Sequence, residues 1–374
     1  MGLFILRRSG VMIITALCLT FIVFFMTNLF PNLEKLAKTQ GNFRMSDEAV
    51  VSWLTKEGYM QSLPTKYGQW LGVLPGWTFE TAKGVTGRCF NGAISPEEVG
   101  NAKQFCGILQ GDWGKSSVFQ DDVSRIIAAR LGRTGALMFW VLLLMIPSAL
   151  IVGVLAGMRE GSKTDRTLST FSIITTATPE YVSGVIFIAI FTSSAVGLKW
   201  FKGTATQAAK GMPGDYGVTW LPDWMNGFWY RVAEAPTMEN FFLPVLTISL
   251  YGMGYIARMT RASMAEVMTA QYIRTARLKG VKFSNVVMKH ALRNALIAPF
   301  TVIMLQIPWL LNGVVIVETL FNYKGFGWAL VQAASNNDIE LLLGISVVSV
   351  VVVLLTQLIS DIGYVYLNPR IRIS

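Results

Sequence analysis

Six apolar stretches, each approaching the roughly 20 residues a helix needs to cross a bilayer, constrain this chain more than any other feature. They run over residues 10–30, 134–157, 170–196, 241–257, 296–317 and 341–366. In hydrocarbon a backbone must satisfy its hydrogen bonds within its own segment, so each stretch reads as a helix. The second and sixth are the most uniformly apolar. Ser249, Gly252 and Gly254 dilute the fourth, which predicts a short or kinked segment. Only 14% of residues are charged, against about 25% in a soluble domain, because ionised groups are costly in hydrocarbon. Eleven Trp and 22 Phe fit a chain in contact with lipid and its interfaces.

The first stretch follows Arg7 and Arg8, as a signal peptide's core would. It is longer than such a core and ends in Asn28-Leu29-Phe30-Pro31 without a small-residue cleavage pattern, so a retained helix is expected.

Charge placement orients the spans. With the N-terminus in the cytoplasm, the inside segments are 1–9, 158–168, 258–293 and 361–374. They hold 15 Lys and Arg against four acids, Glu160, Asp165, Glu266 and Asp361. The outside segments hold 17 bases and 17 acids, and Glu180 lies inside the third span. The whole +10 excess therefore falls on one face, with the sign the positive-inside rule demands. This accounts for the basic balance without nucleic acid. The first outside segment, 31–133, is expected to fold, since it carries Trp53, Tyr59, Tyr67, Trp70, Trp77, Phe79 and Trp113 among Gly and Pro punctuation. The second, 197–240, holds Trp200, Trp220, Trp224 and Trp229 and is expected along the membrane interface.

The largest inside segment, 258–295, is basic and helix-forming as far as Gly280, a helix-stop candidate. A second helical run is expected from about Ser284, a candidate N-cap, to Leu296. Two readings stand for this helix–turn–helix. One is a basic connector hugging anionic lipid. The other is a docking element, in which Thr275, Ala276 and Gly280 let a partner approach the backbone. A lipid-hugging helix needs an apolar face opposite a basic one. Here Arg274, Arg277, Lys279 and Lys282 spread around the helix, which favours docking.

The run Tyr272-Ile-Arg-Thr-Ala-Arg-Leu-Lys-Gly280, followed by Lys289-His-Ala-Leu-Arg-Asn-Ala-Leu296, resembles the cytoplasmic EAA loop of binding-protein-dependent ABC importers. The version is that of B-type permease subunits of dipeptide, oligopeptide and nickel systems. Arg274 and Thr275 stand where the broad pattern has Glu and Ala, a departure typical of the peptide branch. The resemblance covers most of the chain. It includes Arg7-Arg8 and Pro31, Tyr67-Gly-Gln-Trp-Leu71, Gly111-Asp-Trp-Gly-Lys-Ser116, Arg130-Leu131 with Thr134, and Pro179 with Gly184. It continues through Arg258-Met-Thr-Arg-Ala-Ser263, Glu318-Thr-Leu-Phe321 with Gly325-Phe-Gly327, and the ending Asp361…Asn368-Pro-Arg-Ile-Arg372.

The chain departs from that pattern twice. Residues from about 75 to 106 form an insertion carrying Cys89 and Cys106. An outside loop faces an oxidising compartment, where these two cysteines are a disulfide candidate, the alternative being two reduced, unrelated thiols. Glu180 stands after Pro179 where the family has a smaller residue. It either lines a substrate path or reaches water at a helix end.

Catalytic chemistry is not expected. Leu109 occupies the position where a P-loop reading of Gly111-Asp-Trp-Gly-Lys-Ser-Ser117 needs Gly. His290, the single histidine, sits in the basic segment, and one His with three Cys argues against a metal site. Cys18 reads as an inert residue of the first span. Gly153 and Gly157 suggest close helix packing.

The resemblance implies an all-α polytopic membrane protein with six transmembrane helices, a large extracytoplasmic loop, a cytoplasmic coupling helix and both termini cytoplasmic in a bacterial inner membrane. The expected divisions are 1–30, 31–133 and a core at 134–374. It implies a permease subunit moving peptides or peptide-like solutes by alternating access. Its implied partners are a second homologous permease, two ATPases that bind ATP and Mg, an extracytoplasmic substrate-binding protein, and lipid. No catalytic site, cofactor or metal is expected in the chain itself. Tyr272, Thr275, Ala276, Leu278 and Gly280 are the expected ATPase-coupling residues, and Glu180, Gln306, Asn312 and Glu318 the candidates for the path. A secondary transporter driven by ions would instead show internal repeats and buried acid–base pairs, and neither is visible. A channel acting without an ATPase is the same kind of alternative. A membrane-anchored structural or sensory protein would not need the helix–turn–helix segment.

Overall fold

In a computed structural model of the chain, residues 2–81, 84–90, 92–192 and 238–367 are described. Residues 193–237, which include most of the Trp-rich segment 197–240 and the end of the stretch 170–196, and the ending 368–374 lie outside them. Helices dominate: α1 (Gly2–Thr27), α2 (Phe30–Gln40), α3 (Asp47–Lys56), α4 (Leu63–Leu71), α5 (Val123–Gly157), α6 (Lys163–Ala177) and α7 (Glu180–Thr192). After the undescribed segment come α8 (Met238–Met268), α9 (Gln271–Leu278), α10 (Phe283–Ala295), α11 (Ile297–Leu320), α12 (Phe326–Ser335) and α13 (Ile339–Leu367).

Among the described residues, four helices are long and apolar enough to cross a membrane, over Leu6–Thr27, Val123–Gly157, Phe242–Met268 and Ile339–Gly363. The number rises to six if each of two bent pairs counts as one span. The stretch 170–196, expected as one helix, is broken. α6 and α7 meet at 103° across Thr178-Pro179. The cause is local: proline pushes its predecessor out of the helical region, and Thr178 adopts φ −89°, ψ 118°. The second pair, α10 and α11, bends by 49°. Among the described residues, β1 (Thr78–Thr81) and β2 (Gly84–Gly87) form an antiparallel hairpin between α4 and α5.

The chain forms two compact units, both discontinuous in sequence. One comprises Gly2–Arg130 and Ala329–Val352, the other Leu131–Trp328 and Val353–Ser374.

In the first unit, Phe24, Leu33, Val50, Leu54, Trp70, Ile339 and Leu343 form the core. The Tyr67–Leu71 motif fastens α4 to α1. Tyr67 meets Phe21 edge-on at 5.2 Å, and its hydroxyl lies 2.8 Å from Thr20 Oγ1. The Gly111–Ser117 run is no strand–loop–helix phosphate cradle. Ser116 Oγ donates to Asp338 Oδ2 at 2.5 Å, and Asp338 also caps α13 through the Leu341 amide.

In the second unit, α5, α7, α8 and α11 share a core that includes Leu137, Val141, Met145, Leu243, Ile248, Ile256, Leu310 and Val314. Lipid supplies no hydrophobic drive between helices, so close approach and hydrogen bonds must hold them. The residues that dilute α8 do that work. Ser249 donates to the Val141 carbonyl at 3.2 Å, Gly252 sits against Met145, and a Cβ on Gly254 would lie 2.6 Å from the Ser172 carbonyl. Gly157 admits α8 in the same way, since a Cβ there would lie 2.7 Å from that of Met264. The weakest apolar stretch is thus the most deeply buried of the four long spans.

Candidate functional site

The basic segment 258–295 is a continuation of α8 followed by two short helices. α8 runs on to Met268, the chain turns through Thr269 and Ala270, and α9 occupies Gln271–Leu278. Periodicity divides α9 in two. Ile273 and Ala276 face inward with Met264, Val286, Val287, Ala291 and Ala295, forming a small core of the segment's own. Tyr272 and Thr275 lie on the exposed face, and Leu278 is 81% exposed. An apolar side chain so exposed costs free energy in water unless a partner covers it.

α9 stops where Gly280 takes φ +75°, a conformation that suits glycine. The Val281 amide bonds back to the Ala276 carbonyl at 3.2 Å, satisfying an end-of-helix acceptor. α10 starts at Phe283 with Lys282 as its N-cap residue, so the expected Ser284 cap is not used. Lys282 already has the extended backbone that leads into the helix. A π-helical turn, Val286–Ala291, follows. Phe283 lies between two guanidinium groups, 5.4 Å from Arg159 and 5.8 Å from Arg277. Each contact is worth about 0.5–1 kcal/mol at an exposed site. Asn294 Nδ2 donates to the Tyr272 hydroxyl at 2.9 Å, tying α10 to α9. His290 is exposed.

The base of the segment carries an ion pair that sequence reasoning missed. Arg261 Nε and Nη2 donate to Asp165 Oδ1 and Oδ2 at 2.6 and 2.8 Å. Asp165 also accepts from the Gly161 amide and from Ser169 Oγ, and it is 3% exposed. Ser263 Oγ donates to the Ala295 carbonyl at 2.8 Å. α9 and α10 therefore stand on a base locked to α6. Both ionic partners were visible as inside charges, but 96 residues separate them and no local pattern pairs them.

Of the four path candidates, Glu180 lies on α7 and Gln306, Asn312 and Glu318 lie on α11. Glu180 is half-buried at the start of α7, and its Oε2 has no hydrogen-bond partner. Gln306 is buried. The side chain of Asn312 lies outside the described ones. Glu318 is fully buried and acts as a clamp: Oε1 accepts from Thr134 Oγ1 at 2.5 Å and Oε2 from the Trp328 amide at 3.0 Å. Thr134 Oγ1 in turn accepts the Phe326 amide at 2.8 Å. A Cβ on Gly325 would collide with the Glu318 carboxylate, which explains the glycine in that motif.

Cys89 and Cys106 form a disulfide with Cα atoms 5.5 Å apart. Cys18 is free and exposed. Among the described residues no group of three or more His, Cys, Asp or Glu could hold a metal ion.

Several long apolar helices, one of them carrying a helix pair with a small core of its own, define a polytopic helical membrane protein. Residues 149–373 match the family of binding-protein-dependent transport system inner membrane components, and this chain belongs to that family. It is 34% identical to the oligopeptide transport system permease protein AppB of Bacillus subtilis over 282 residues, 75% of this chain and 82% of that one. It is 30% identical to the dipeptide transport system permease protein DppB of Haemophilus influenzae over 265 residues, 71% and 78% of the two chains. A Brucella ovis protein named as a peptide permease aligns over 361 residues, 96% of this chain and 95% of its own, at 26% identity.

Proposed function

We propose that this chain is the membrane-spanning permease subunit of an ATP-driven importer that moves peptides or peptide-like solutes into the cytoplasm by alternating access. In this reading the two bent pairs are spans, which makes six, and both termini lie in the cytoplasm. The N-terminal unit then contributes the extracytoplasmic loop. ATP and Mg belong to two partner ATPases. A second homologous permease completes the path, and an extracytoplasmic binding protein delivers the solute.

The observation that carries the reading is the division of α9. Ile273 and Ala276 bury one side in the segment's own core, while Tyr272, Thr275 and Leu278 stand outward beside the Gly280 turn. A lipid-held connector would turn its apolar side chains to the membrane instead of packing them into a core. A rigid helix seated this way transmits force: motion of an ATPase against it becomes rigid-body motion of α8 and α6. Ala276 then acts from inside, by letting α9 pack closely, and Leu278 is the direct contact. Glu318 serves as a tie within the unit, and Glu180 remains the candidate for the path.

Purification of the chain in mild detergent from its native host, with mass spectrometry of what accompanies it, tests the assembly. An ATPase and a second permease are expected. Repeated recovery of this chain alone, stable and folded, would overturn the reading. Gly280→Glu is expected to abolish ATPase-coupled uptake while membrane insertion survives. Because φ is +75° there, Gly280→Ala must be measured beside it to remove the backbone contribution, which is about 1 kcal/mol or more.

A further inference from the structure

Residues of the segment 75–106 wall one side of a cavity. In the unit formed by Gly2–Arg130 and Ala329–Val352, a cavity of about 340 Å³ opens between the insertion and the helices. Its walls carry both signs of charge, with Arg88 and Lys66 against Glu340 and Asp112, and aromatic surface from Trp70 and Trp77.

Two buried polar atoms in these walls have no hydrogen-bond partner, Arg88 Nε and Glu340 Oε2. Native structures leave few such atoms, because an unmade hydrogen bond on a buried charged group is costly. The two groups do not satisfy each other, since no hydrogen bond joins these atoms among the described residues. Lys66 is already engaged, donating to Asn28 Oδ1 at 3.1 Å. One orphan is a guanidinium donor and the other a carboxyl acceptor. An anion would answer Arg88 and leave Glu340 unmet. A metal cation would answer Glu340 and be repelled by Arg88 and Lys66. A zwitterion answers both.

The wall is built in place. The Arg88 amide donates to the Trp77 carbonyl at 3.0 Å, closing the base of the hairpin, and Cys89 next to it is bridged to Cys106. The Trp77 ring lies on Gly58, where a Cβ would meet its Cδ1 at 2.5 Å and φ is +74°. Arg88 is therefore held by a covalent bridge on one side and a ring seated on a neighbouring turn on the other. Such preorganisation lowers the cost of binding.

We propose that this cavity binds a small zwitterion, an α-amino acid or dipeptide, with its ammonium on Glu340 and its carboxylate on Arg88. The site goes beyond the transport reading and does not depend on which solute crosses the membrane.

The full chain in phosphatidylethanolamine–phosphatidylglycerol nanodiscs, without partner subunits, is titrated with alanine and with dialanine. Tryptophan fluorescence and calorimetry read the binding. Saturable binding is expected, at least about tenfold weaker for N-acetylated and for C-amidated dialanine, since each cap removes one charge-assisted hydrogen bond. Arg88→Met and Glu340→Gln are each expected to weaken binding by about tenfold or more. Absence of saturable binding by the wild-type chain overturns the proposal. So does equal binding of capped and free dialanine, or full binding in both variants. The capped probes act on the wild-type protein, so a variant that fails to fold leaves the test intact. Because no partner is present, failure to recover an ATPase in the purification above does not bear on the result.

Discussion

At the scale of single residues, the side chains with most at stake are buried charges. Asp165 and Arg261 meet as a two-pronged pair with nearly no exposed carboxylate. Removing one partner of such a pair leaves an uncompensated buried charge, at a cost of about 3–5 kcal/mol. Arg261→Ala is expected to destabilise the protein by that order, read as a fall in thermal unfolding temperature in detergent. The double variant Asp165→Asn with Arg261→Met should recover much of the loss, because no unpaired charge remains. If the two single changes add without recovery, the pair is not coupled. Glu318 belongs to the same class. Its contacts with Thr134 and the Trp328 amide hold the Glu318–Gly327 motif together.

At the scale of an element, α9 and the α5–α8 contact make different claims. Leu278 is 81% exposed, so Leu278→Asp has little to break in the chain itself. Its unfolding temperature should stay close to wild type while co-purification of the ATPase and coupled uptake fall at least about tenfold, the loss expected where an apolar anchor is replaced by charge at a contact centre. Ala276→Asp should do the reverse first, lowering stability, because position 276 sits in the segment's core. Equal stability of the two variants would contradict the inside–outside division of α9. Gly157 tests the helix contact. A side chain there meets Arg261 O at 2.6 Å and Met264 Cβ at 2.7 Å, and the backbone cannot yield as a flexible side chain would. Gly157→Leu is expected to cost about 1–3 kcal/mol, the usual range for overpacking, and to lower the yield of folded protein.

At the scale of the whole molecule, the chain interleaves its two units, since residues 329–352 return to the N-terminal 130. The Cys89–Cys106 bridge closes a separation of 17 residues within one of them. In the chain-entropy model a loop of that size is worth about 3 kcal/mol. Cys89→Ser with Cys106→Ser should therefore lower the stability of the N-terminal unit by roughly that amount, read by protease resistance of 31–133. The second unit has no share in the bridge and should keep its own resistance. Loss of resistance throughout the chain would mean that the two units do not unfold separately.

Much of this protein was legible along the chain. Runs of apolar residues mark helices through composition alone, because hydrocarbon tolerates nothing else at that length. The order of turn-forming and small residues in 272–280 marked a helix and a stop at Gly280, both local properties of nine consecutive residues. Pro179 was visible too and breaks the helix locally, but the size of the bend, 103°, is not written in the dipeptide. The same limit hid the pairing of Asp165 with Arg261, and the clamp of Glu318 on Thr134 across 184 residues. The short strands at 78–87 escaped notice because four residues carry too little alternation to identify a strand. Local propensity and solvent preference act through neighbours in sequence, so they can be read there. Which distant charge answers which, and which glycine admits which helix, is settled only when the chain has packed.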